Sequence, residues 1–407
     1  MIGGSTALDG VKVVEFCHFI AGPRCTQILA DHGAEVIKVE PLGGDPSRAS
    51  PPIHDGWSMY FASHNRGKRS LSIDLKAPES AEVLERLLRW ADVLVTNYTP
   101  GASDRLGLSY ESARAVNPRL VVVRLSAYGL TGSHRELSGF DGTVQARSGL
   151  AHMIGPDDRP PTVTSIPIVD FFAAVEGAYA ALLGLRNRDR TGAGGDLDVS
   201  MADSAATLLG YLYSEVLVRG AEPKRTGSRA PYALTGAYAT ADGYVYVAPI
   251  GPAWARFTAV IGHPEWGEPG SPYAQAQARL GDRALIESAI EAWSGALTTA
   301  EVLATLEREG IPCGPVNSVR EAAESELVAS RDMLEQVALG SSGLSVPMPG
   351  VEVKFPSARH QDDELAVVPA LGADSRAVLA ELGVDRERLE CWIDAGIVRV
   401  PGQASPA

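Results

Sequence analysis

The first forty residues alternate between apolar strand patterns and a helical pattern, which limits the chain to a small set of folds. VKVVEF is typical of a buried strand, AGPRCTQILADHGA opens with Gly-Pro and predicts a helix, and EVIKVE predicts a second strand. Two strands joined through a helix form a βαβ unit, whose strands lie parallel. Because a parallel sheet needs helices on both faces, we predict an α/β fold.

The same alternation continues and defines a large domain. Further strands are predicted at RSLSIDL, DVLVTNY, RLVVVRLSAYG and GGDLDVSM, with helices between them and a long helix over about 202–219. We therefore predict a Rossmann-like domain with a parallel sheet over residues 1–205, completed by about 325–407 from the C-terminus.

A composition change separates a second, smaller domain. RGAEPKRTGSRAP is rich in Gly, Pro and basic residues, so 206–230 is predicted to be a linker. Beyond it, GAYATADGYVYVAPI carries Asp-Gly between two strand-like segments and predicts a hairpin. With helical patterns at 254–261, 285–296 and 299–309, residues 231–324 are expected to form an α+β domain.

Charge and cysteine usage exclude several classes of partner. The 407-residue chain has a net charge of −14 and a pI of about 5.1, which argues against nucleic acid and against an anionic membrane. The four cysteines show no C-x-x-C spacing, so we expect neither a disulfide framework nor a metal site. We also find no apolar run near the roughly 18 residues of a membrane span, and expect a cytoplasmic protein.

Three clusters of residues are candidates for chemistry. The first is the turn EFCHFIAGPRC, where a helix N-terminus follows a strand and could bind phosphate. Glu40 stands where a dinucleotide site places its ribose-binding acid, but the turn lacks G-x-G-x-x-G, which argues against NAD. His18 in this turn is either a packed histidine or a ligand contact.

The second cluster is the basic run NRGKRS with Lys76, followed by TNYTPGASDRLGL. Such runs are usually solvated. However, Asn97, Tyr98 and Arg105 lie at or after the carboxyl end of a predicted strand, where ligands bind in open α/β sheets. Arg105 could stack on a base or pair with phosphate.

The third candidate is Asp170, the lone carboxylate near the start of the apolar helix in TSIPIVDFFAAVEGAYAALLGL. An Asp after a Pro is often a helix cap. Alternatively, the helix N-terminus keeps it ionised in apolar surroundings as a nucleophile. The helix face it shares is formed by small residues, which allow close approach of a backbone or a ligand: Ala173, Ala174, Gly177, Ala178 and Ala181.

Taken in order, several motifs resemble the class III coenzyme A transferases, the family of formyl-CoA:oxalate and carnitine CoA-transferases. They are LDGVKVVEF, AGPRCTQILADHGAEVIKVEP, NRGKRSLSIDLK, VTNYTPGASDRLGL, SAYGLTGS, GFDGTVQARSGL and VDFFAAVEGAYAALLGL. The match is strong through about residue 205 and weaker beyond it.

The resemblance implies a reaction and a set of site residues. It assigns Asp170 as the nucleophile and Asp141 as an acid close to it. Asp170 would receive CoA from an acyl-CoA through an anhydride and an aspartyl-CoA thioester, and an acceptor acid would take it away; no metal is implied. The implied CoA contacts are His18, Ala21, Ile73, Lys76, Asn97, Tyr98 and Arg105.

The resemblance also implies an assembly and a source of oxyanion donors. Two chains are expected to interlock as linked rings, with each active site between the large domain of one subunit and the small domain of the other. We expect backbone amides at the start of the Asp170 helix or near Gly251 to bind the oxyanions.

Several departures from the family pattern bear on the alternatives. A related branch, α-methylacyl-CoA racemase, has a histidine and a glutamate where this chain has Phe140 and most plausibly Gly251, so the proton-transfer pair of a racemase is absent. APIGPAW offers one glycine instead of the glycine run that covers the intermediate, and Pro41 replaces an adenine-stacking arginine of some members.

Other functions stay open at this stage. The same Asp170 would serve an intramolecular CoA transferase acting on a dicarboxylyl-CoA, a racemase-like epimerase is disfavoured, and a non-catalytic CoA-binding subunit would not need the carboxylate. Three phenylalanines near the nucleophile either favour an aromatic or aliphatic acid over a small dianion, or belong to the core: Phe140, Phe171 and Phe172.

Overall fold

A computed structural model describes residues 6–220, 222–355 and 365–402 of the chain. The chain divides into two compact units. The large unit comprises Met1–Leu150, Thr164–Gly210 and Val328–Ala407, and the small unit comprises Ala151–Val163 and Tyr211–Leu327.

The strands of the described residues are short, as is usual in globular proteins. They are β1 Lys12–Phe16, β2 Glu35–Glu40, β3 Ile53–His54, β4 Trp57–Ser58, β5 Lys68–Ile73, β6 Val93–Thr96, β7 Val121–Ser126, β8 Gly195–Ser200, β9 Gly236–Ala239, β10 Tyr244–Val247, β11 Cys313–Pro315, β12 Leu334–Leu339, β13 Ser345–Pro349, β14 Val367–Val368 and β15 Val398–Arg399.

The α-helices of the same residues connect these strands. They are α1 Ala21–Asp31, α2 Met59–Ala62, α3 Ser80–Trp90, α4 Pro100–Arg105, α5 Tyr110–Val116, α6 Asp141–Ser148, α7 Leu150–Met153, α8 Ile168–Thr191, α9 Met201–Leu209, α10 Tyr211–Arg219, α11 Ala253–Val260, α12 Ala276–Gly281, α13 Arg283–Gly295, α14 Thr299–Arg308, α15 Val319–Ala323, α16 Glu326–Ala329, α17 Ser375–Glu381 and α18 Arg386–Asp394.

The large unit is built on a seven-stranded sheet in the order β15-β5-β2-β1-β6-β7-β8. All neighbouring strands are parallel except β15, which runs antiparallel to β5. The predicted α/β fold with a parallel sheet is confirmed. The apolar runs of the central strands are buried on both faces, since residues 93–95 and 121–123 are completely buried.

The two faces of this sheet pack against different helices. One face forms a core with residues of α3, α5, α17 and α18, and the other forms a core with residues of α1 and α8. The carboxyl ends of β1, β6, β7 and β8 meet at one edge of the sheet because these neighbouring strands are parallel. The loops that follow these strands therefore lie close together.

Helix α8 is the longest helix that the structure describes, with 24 residues. Its length and composition would suffice to cross a membrane, so the sequence-based statement that no apolar run approaches this length is wrong. Acidic residues such as Glu176 interrupt the apolar run of α8, but the mean hydropathy of the helix is still high enough for a membrane span. Half of its most apolar window is buried, and it packs against α1 and the sheet.

The small-residue face of α8 serves this packing. A Cβ added at Gly177 would lie 3.0 Å from both Cys25 Sγ and Leu125 Cδ2, and one added at Gly184 would lie 2.4 Å from Val121 Cγ1. Side chains at these positions would therefore separate the helix from α1 and β7. The sequence left open whether this face allows close approach of a backbone or of a ligand. In the structure it allows close approach of α1 and β7.

The predicted long helix over 202–219 is instead two helices. The break falls at Gly210, which adopts a φ of 51° between α9 and α10. A positive φ is easily adopted by glycine and ends a right-handed helix. The segment 206–230, expected to be a linker, thus contains the end of α9 and the whole of α10.

The small unit has a sheet and a core of its own. The predicted hairpin is confirmed, because β9 pairs antiparallel with β10, and β10 pairs antiparallel with β11. Helices α11, α13 and α14 supply a core that includes Trp254, Phe257, Ile286 and Ile290, all nearly or completely buried.

Candidate active site

A cavity of about 590 Å³ opens at the edge of the large unit where β1, β6, β7 and β8 end. It is lined by the turn after β1 (18–21), the loop after β6 (97–100), the end of β7 (125–127) and the segment before α6 (137–140). Asp170 and Tyr60 also line it. The cavity therefore lies beyond the carboxyl ends of the parallel strands, where ligands bind in open α/β sheets.

Asn97 holds the turn after β1 in place. Its Oδ1 accepts the His18 backbone N–H at 2.9 Å, and its Nδ2 donates to the His18 carbonyl at 2.7 Å. The Tyr98 hydroxyl lies 3.2 Å from His18 Nε2. Burial lowers the pKa of His18, which keeps the ring neutral near pH 7. Gly22 is required here, because a Cβ would lie 2.3 Å from Cys17 Sγ.

A buried network of charges lies beneath this turn. Lys38 Nζ is 2.7 Å from Glu15 Oε1 and 2.9 Å from Asp45 Oδ2, and Lys68 Nζ is 2.8 Å from Glu15 Oε2; all four side chains are fully buried. Burial opposes ionisation of Glu15, but Lys38 and Lys68 outweigh it and lower its pKa. Removing one partner would leave an uncompensated buried charge, so the network acts as a unit.

Asp170 is the third residue of α8, whose N-cap position is Pro167, and Pro167 supplies no side-chain acceptor. Asp141 takes that role from another helix. Its Oδ2 accepts the backbone N–H groups of Val169 at 2.7 Å and of Asp170 at 3.0 Å. A carboxylate at this point accepts hydrogen bonds from free amides of the first turn, and its negative charge interacts favourably with the helix dipole. Asp141 thus positions the start of the helix that carries Asp170.

Gln145 in turn orients Asp141. Its side-chain amide donates to Asp141 Oδ1 and, at 2.8 Å, to Thr164 Oγ1, while its Oε1 accepts the Thr164 backbone N–H at 3.1 Å. Gln145 is completely buried and Asp141 is 7% exposed. Two segments separated along the chain, α6 and the approach to α8, are therefore joined through one amide side chain.

The surroundings of Asp170 raise the pKa of its carboxyl to about 7, first through burial and then through the negative charge of Asp141. This raised pKa differs from the sequence-based alternative in which the helix N-terminus keeps Asp170 ionised. The reason is that Asp141, and not the Asp170 carboxylate, accepts the amides of Val169 and Asp170. Asp170 is half ionised near neutral pH.

The same bonds change the expected source of oxyanion donors. The amides of Val169 and Asp170 are already bonded to Asp141, so they are not free to bind an oxyanion. Gly251 belongs to the small unit, where its φ is 59°. Within the cavity, the Tyr60 hydroxyl has no hydrogen-bond partner among the described residues. Burial and the nearby charges of Asp170 and Asp45 raise its pKa to about 12.

The structure brings together only part of the predicted CoA set. His18, Ala21, Asn97 and Tyr98 line the cavity with Asp170. Ile73, at the end of β5, is 1% exposed and packs in the core, because its side chain points between the sheet and the helices. Lys76 and Arg105 are exposed and lie outside the cavity lining.

The basic side chains of the run NRGKRS form ion pairs within the protein. Arg66 pairs with Asp31 at 2.7 Å, Lys68 belongs to the buried network, and Arg69 reaches Glu35 at 2.6 Å and also Glu381. The solvated-face interpretation is wrong for Arg66 and Lys68, since both are at most 5% exposed.

Sequence reasoning missed the contributions of Tyr60, Gln145 and the Glu15–Lys38 pair. Two signals were present. Lys38 and Glu15 interrupt otherwise apolar strand patterns, which requires a buried partner. Gln145 stands four residues after Asp141, a spacing that puts both on one helix face.

Comparison with known proteins identifies the family of this chain. The model of "CoA-transferase family III" matches residues 8–375. The chain belongs to this family. The predicted class of enzyme, an acyl-CoA:carboxylate CoA-transferase, is confirmed, and members of the family move CoA between an acyl-CoA and a carboxylic acid.

Three relatives illustrate the match. Succinyl-CoA–D-citramalate CoA-transferase of Chloroflexus aurantiacus is 33% identical over 92% of this chain and 94% of its own length. Formyl-CoA:oxalate CoA-transferase of Rhodopseudomonas palustris is 31% identical, over 98% and 99%. The crystal structure of a CAIB/BAIF family protein from Brucella suis superposes with a TM-score of 0.80 at 31% identity, covering 93% of this chain and all of that chain.

The raised pKa of Asp170 predicts a pH-dependent cost in stability. The folded-state pKa of about 7 exceeds the ordinary value of 3.8, so the folded state loses stability as the pH rises from about 4 through 7. Asp170→Asn removes that cost. We compare the free energy of unfolding of Asp170→Asn with that of the wild type. We expect this difference to be about 2 kcal/mol more favourable to the variant at pH 8 than at pH 5.

Urea unfolding of both proteins at the two pH values measures this difference. Asp9→Asn, which removes a carboxylate at an exposed position on an N-terminal turn, is the matched control. An equal effect of Asp170→Asn at pH 5 and pH 8 would contradict the account.

Proposed function

We propose that this CoA-transferase works through covalent intermediates on Asp170. The observation that carries the proposal is a half-buried carboxylate, with a pKa of about 7, in a cavity at the ligand-binding edge of the sheet. A carboxylate of raised pKa is more basic than an ordinary aspartate, and hence a better nucleophile, while a sufficient fraction is ionised at neutral pH.

The exchange proceeds in four substitutions at carbonyl carbons. Asp170 attacks the thioester of the donor acyl-CoA, which gives an acyl-aspartyl anhydride and CoA thiolate. The thiolate attacks the aspartyl carbonyl, so the donor acid leaves and an aspartyl-CoA thioester remains. The acceptor carboxylate attacks this thioester and expels the thiolate, which then attacks the acceptor acyl carbon and restores Asp170. Each step retains the thioester energy that hydrolysis would lose.

Asp141 is a positioning residue in these four steps. By bonding the amides of Val169 and Asp170, it holds the first turn of α8, and its charge raises the pKa of the nucleophile. Since those amides are taken, we assign the Tyr60 hydroxyl as an oxyanion donor within the large unit.

The cavity residues support a binding mode for the CoA thiol end. His18, Ala21, Asn97 and Tyr98 line the same cavity as Asp170, so a thioester placed there meets the nucleophile. A neutral His18 ring and the Tyr98 hydroxyl can form hydrogen bonds to the amide groups of pantetheine. Lys76 and Arg105 lie outside the cavity lining, and their exposed side chains are candidates for pairing with the phosphates of CoA.

We further infer that the enzyme is a homodimer. Helix α8 exposes a stripe of apolar side chains opposite its packed face: Ile168, Phe171, Val175, Tyr179, Leu182 and Leu183, each at least 36% exposed. A continuous exposed apolar stripe of this kind is typical of a subunit interface. The resemblance to class III coenzyme A transferases, which implies two interlocked chains, favours a second copy of this chain as the partner.

Sedimentation equilibrium tests the assembly. We expect twice the chain mass of 42.9 kDa at micromolar concentration. Val175→Glu, in the stripe, should shift the equilibrium toward monomer, whereas Ile53→Glu, at an exposed position outside α8, should not. A wild-type monomer would refute the inference.

Mass spectrometry of the intact protein tests the covalent mechanism. After incubation with a panel of acyl-CoAs and hydroxylamine, we expect a CoA adduct or a hydroxamate on the peptide that contains Asp170. Asp170→Asn should abolish labelling and lower kcat by about a thousandfold or more, whereas Asp9→Asn should leave both unchanged. Turnover without any adduct on Asp170, in wild-type protein, contradicts the proposal.

The same samples separate the alternative reactions. Isomerisation of a dicarboxylyl-CoA without an added acceptor would identify an intramolecular transferase. Deuterium uptake beside the thioester would identify an epimerase, although Phe140 offers no proton-transfer group.

A further inference from the structure

Two aromatic side chains form one wall of the cavity that contains Asp170. The rings of Phe19 and Phe140 meet edge to face, with centroids 5.5 Å apart and planes at 86°. Both residues line the cavity. Phe140 is nevertheless 62% exposed, so most of its ring has no contact with the chain. A large apolar side chain exposed inside a cavity is suited to contact with a ligand.

The backbone of both residues is held in place. The Phe140 N–H donates to Thr143 Oγ1 at 2.9 Å, and the same hydroxyl donates to the Phe140 carbonyl at 2.7 Å. Phe19 adopts a φ of 65°, in the left-handed region that bulky residues rarely occupy. Its N–H points to Asp45 Oδ1 at 3.4 Å, and Asp45 belongs to the buried charge network.

Strain of this kind persists only where the surrounding structure enforces it, and it concentrates at ligand sites. The buried ion pairs beneath the turn therefore help to hold the ring of Phe19 against Phe140. This observation is independent of the exposure of Phe140.

The charges around the cavity disfavour an acyl group with a second carboxylate. Among the lining residues of the described chain, Arg135 is the one basic side chain besides His18, whose pKa is lowered by burial. Arg135 lies on an exposed loop and is 3.3 Å from Glu136. Lys38 and Lys68, two buried cations beneath the turn, are paired with Glu15. A carboxylate placed against two phenyl rings would lose hydration, and the basic lining residue that it could meet, Arg135, is already paired with Glu136.

We propose that the site accepts an apolar monocarboxylic acyl group, aliphatic or aromatic, which packs on the Phe19–Phe140 wall, and discriminates against dicarboxylyl groups. This inference rests on the proposed function, because it assumes that the acyl carbon reaches Asp170. It distinguishes the chain from the two relatives described above, whose names contain the dicarboxylic acids citramalate and oxalate.

Butyryl-CoA and succinyl-CoA form a matched pair of probes, since they have the same chain length and differ in the terminal carboxylate. We expect isothermal titration of the Asp170→Asn protein to show at least about tenfold tighter binding of butyryl-CoA and of phenylacetyl-CoA than of succinyl-CoA. Equal or tighter binding of succinyl-CoA overturns the proposal.

A second pair of variants locates the discrimination. Phe140→Ser should reduce the preference for butyryl-CoA by about tenfold. Phe355→Ser is the matched control, because Phe355 is 43% exposed on the same unit but lies outside the cavity. A preference that survives Phe140→Ser unchanged contradicts the role of this wall.

Because binding is measured in a protein that lacks the nucleophile, the two proposals fail separately. A preference for butyryl-CoA in Asp170→Asn, together with turnover but no covalent adduct in the wild type, would retain the substrate class and refute the covalent mechanism. An adduct on Asp170 together with a preference for succinyl-CoA would retain the covalent mechanism and refute the substrate class.

Discussion

The two hydrogen bonds from the amides of Val169 and Asp170 to Asp141 are the interaction on which the site depends. A helix that begins after Pro167 has no side-chain cap of its own, and a buried helix start without acceptors is costly. Asp141 supplies the acceptor, and Gln145 donates a hydrogen bond to Asp141 that holds it in position. One carboxylate therefore stabilises the helix, positions Asp170, the proposed nucleophile, and raises its pKa.

The cavity depends equally on the charges buried beneath the turn after β1. Glu15, Lys38, Lys68 and Asp45 are removed from water, which is favourable only because each has a partner of opposite charge. Asp45 also meets the backbone of Phe19. The turn that lines the cavity is thus fixed from below by the network and from the side by Asn97.

Much of the large unit was predictable from local pattern. Buried parallel strands are continuous apolar runs, and βαβ units place the loops that follow these strands at one edge of the sheet. The sequence therefore indicates that His18, Asn97 and Tyr98 lie at the same edge, where the cavity is found. The role of Asp170 came from family resemblance, since an Asp near a helix start is more often a cap.

The remaining features depend on contacts between residues far apart along the chain. Asp141 and Asp170 are joined across 29 positions, so the capping of one by the other leaves no local signal. The basic run NRGKRS has the composition of a solvated face, yet Arg66 and Lys68 find buried acids on other elements. Only the tertiary fold reveals that Gly210 divides a helix that its sequence would continue.

The most direct test of the account is a titration of the Asp170 carboxyl itself. Infrared difference spectra of the wild type minus Asp170→Asn isolate its C=O stretch as the pH is varied. We predict an apparent pKa near 7, and a lower value in the Asp141→Asn background, where an acceptor for the helix amides remains but the neighbouring charge is lost. Titration near pH 4 in the wild type would contradict the claim that burial and Asp141 raise the pKa of Asp170, the proposed nucleophile.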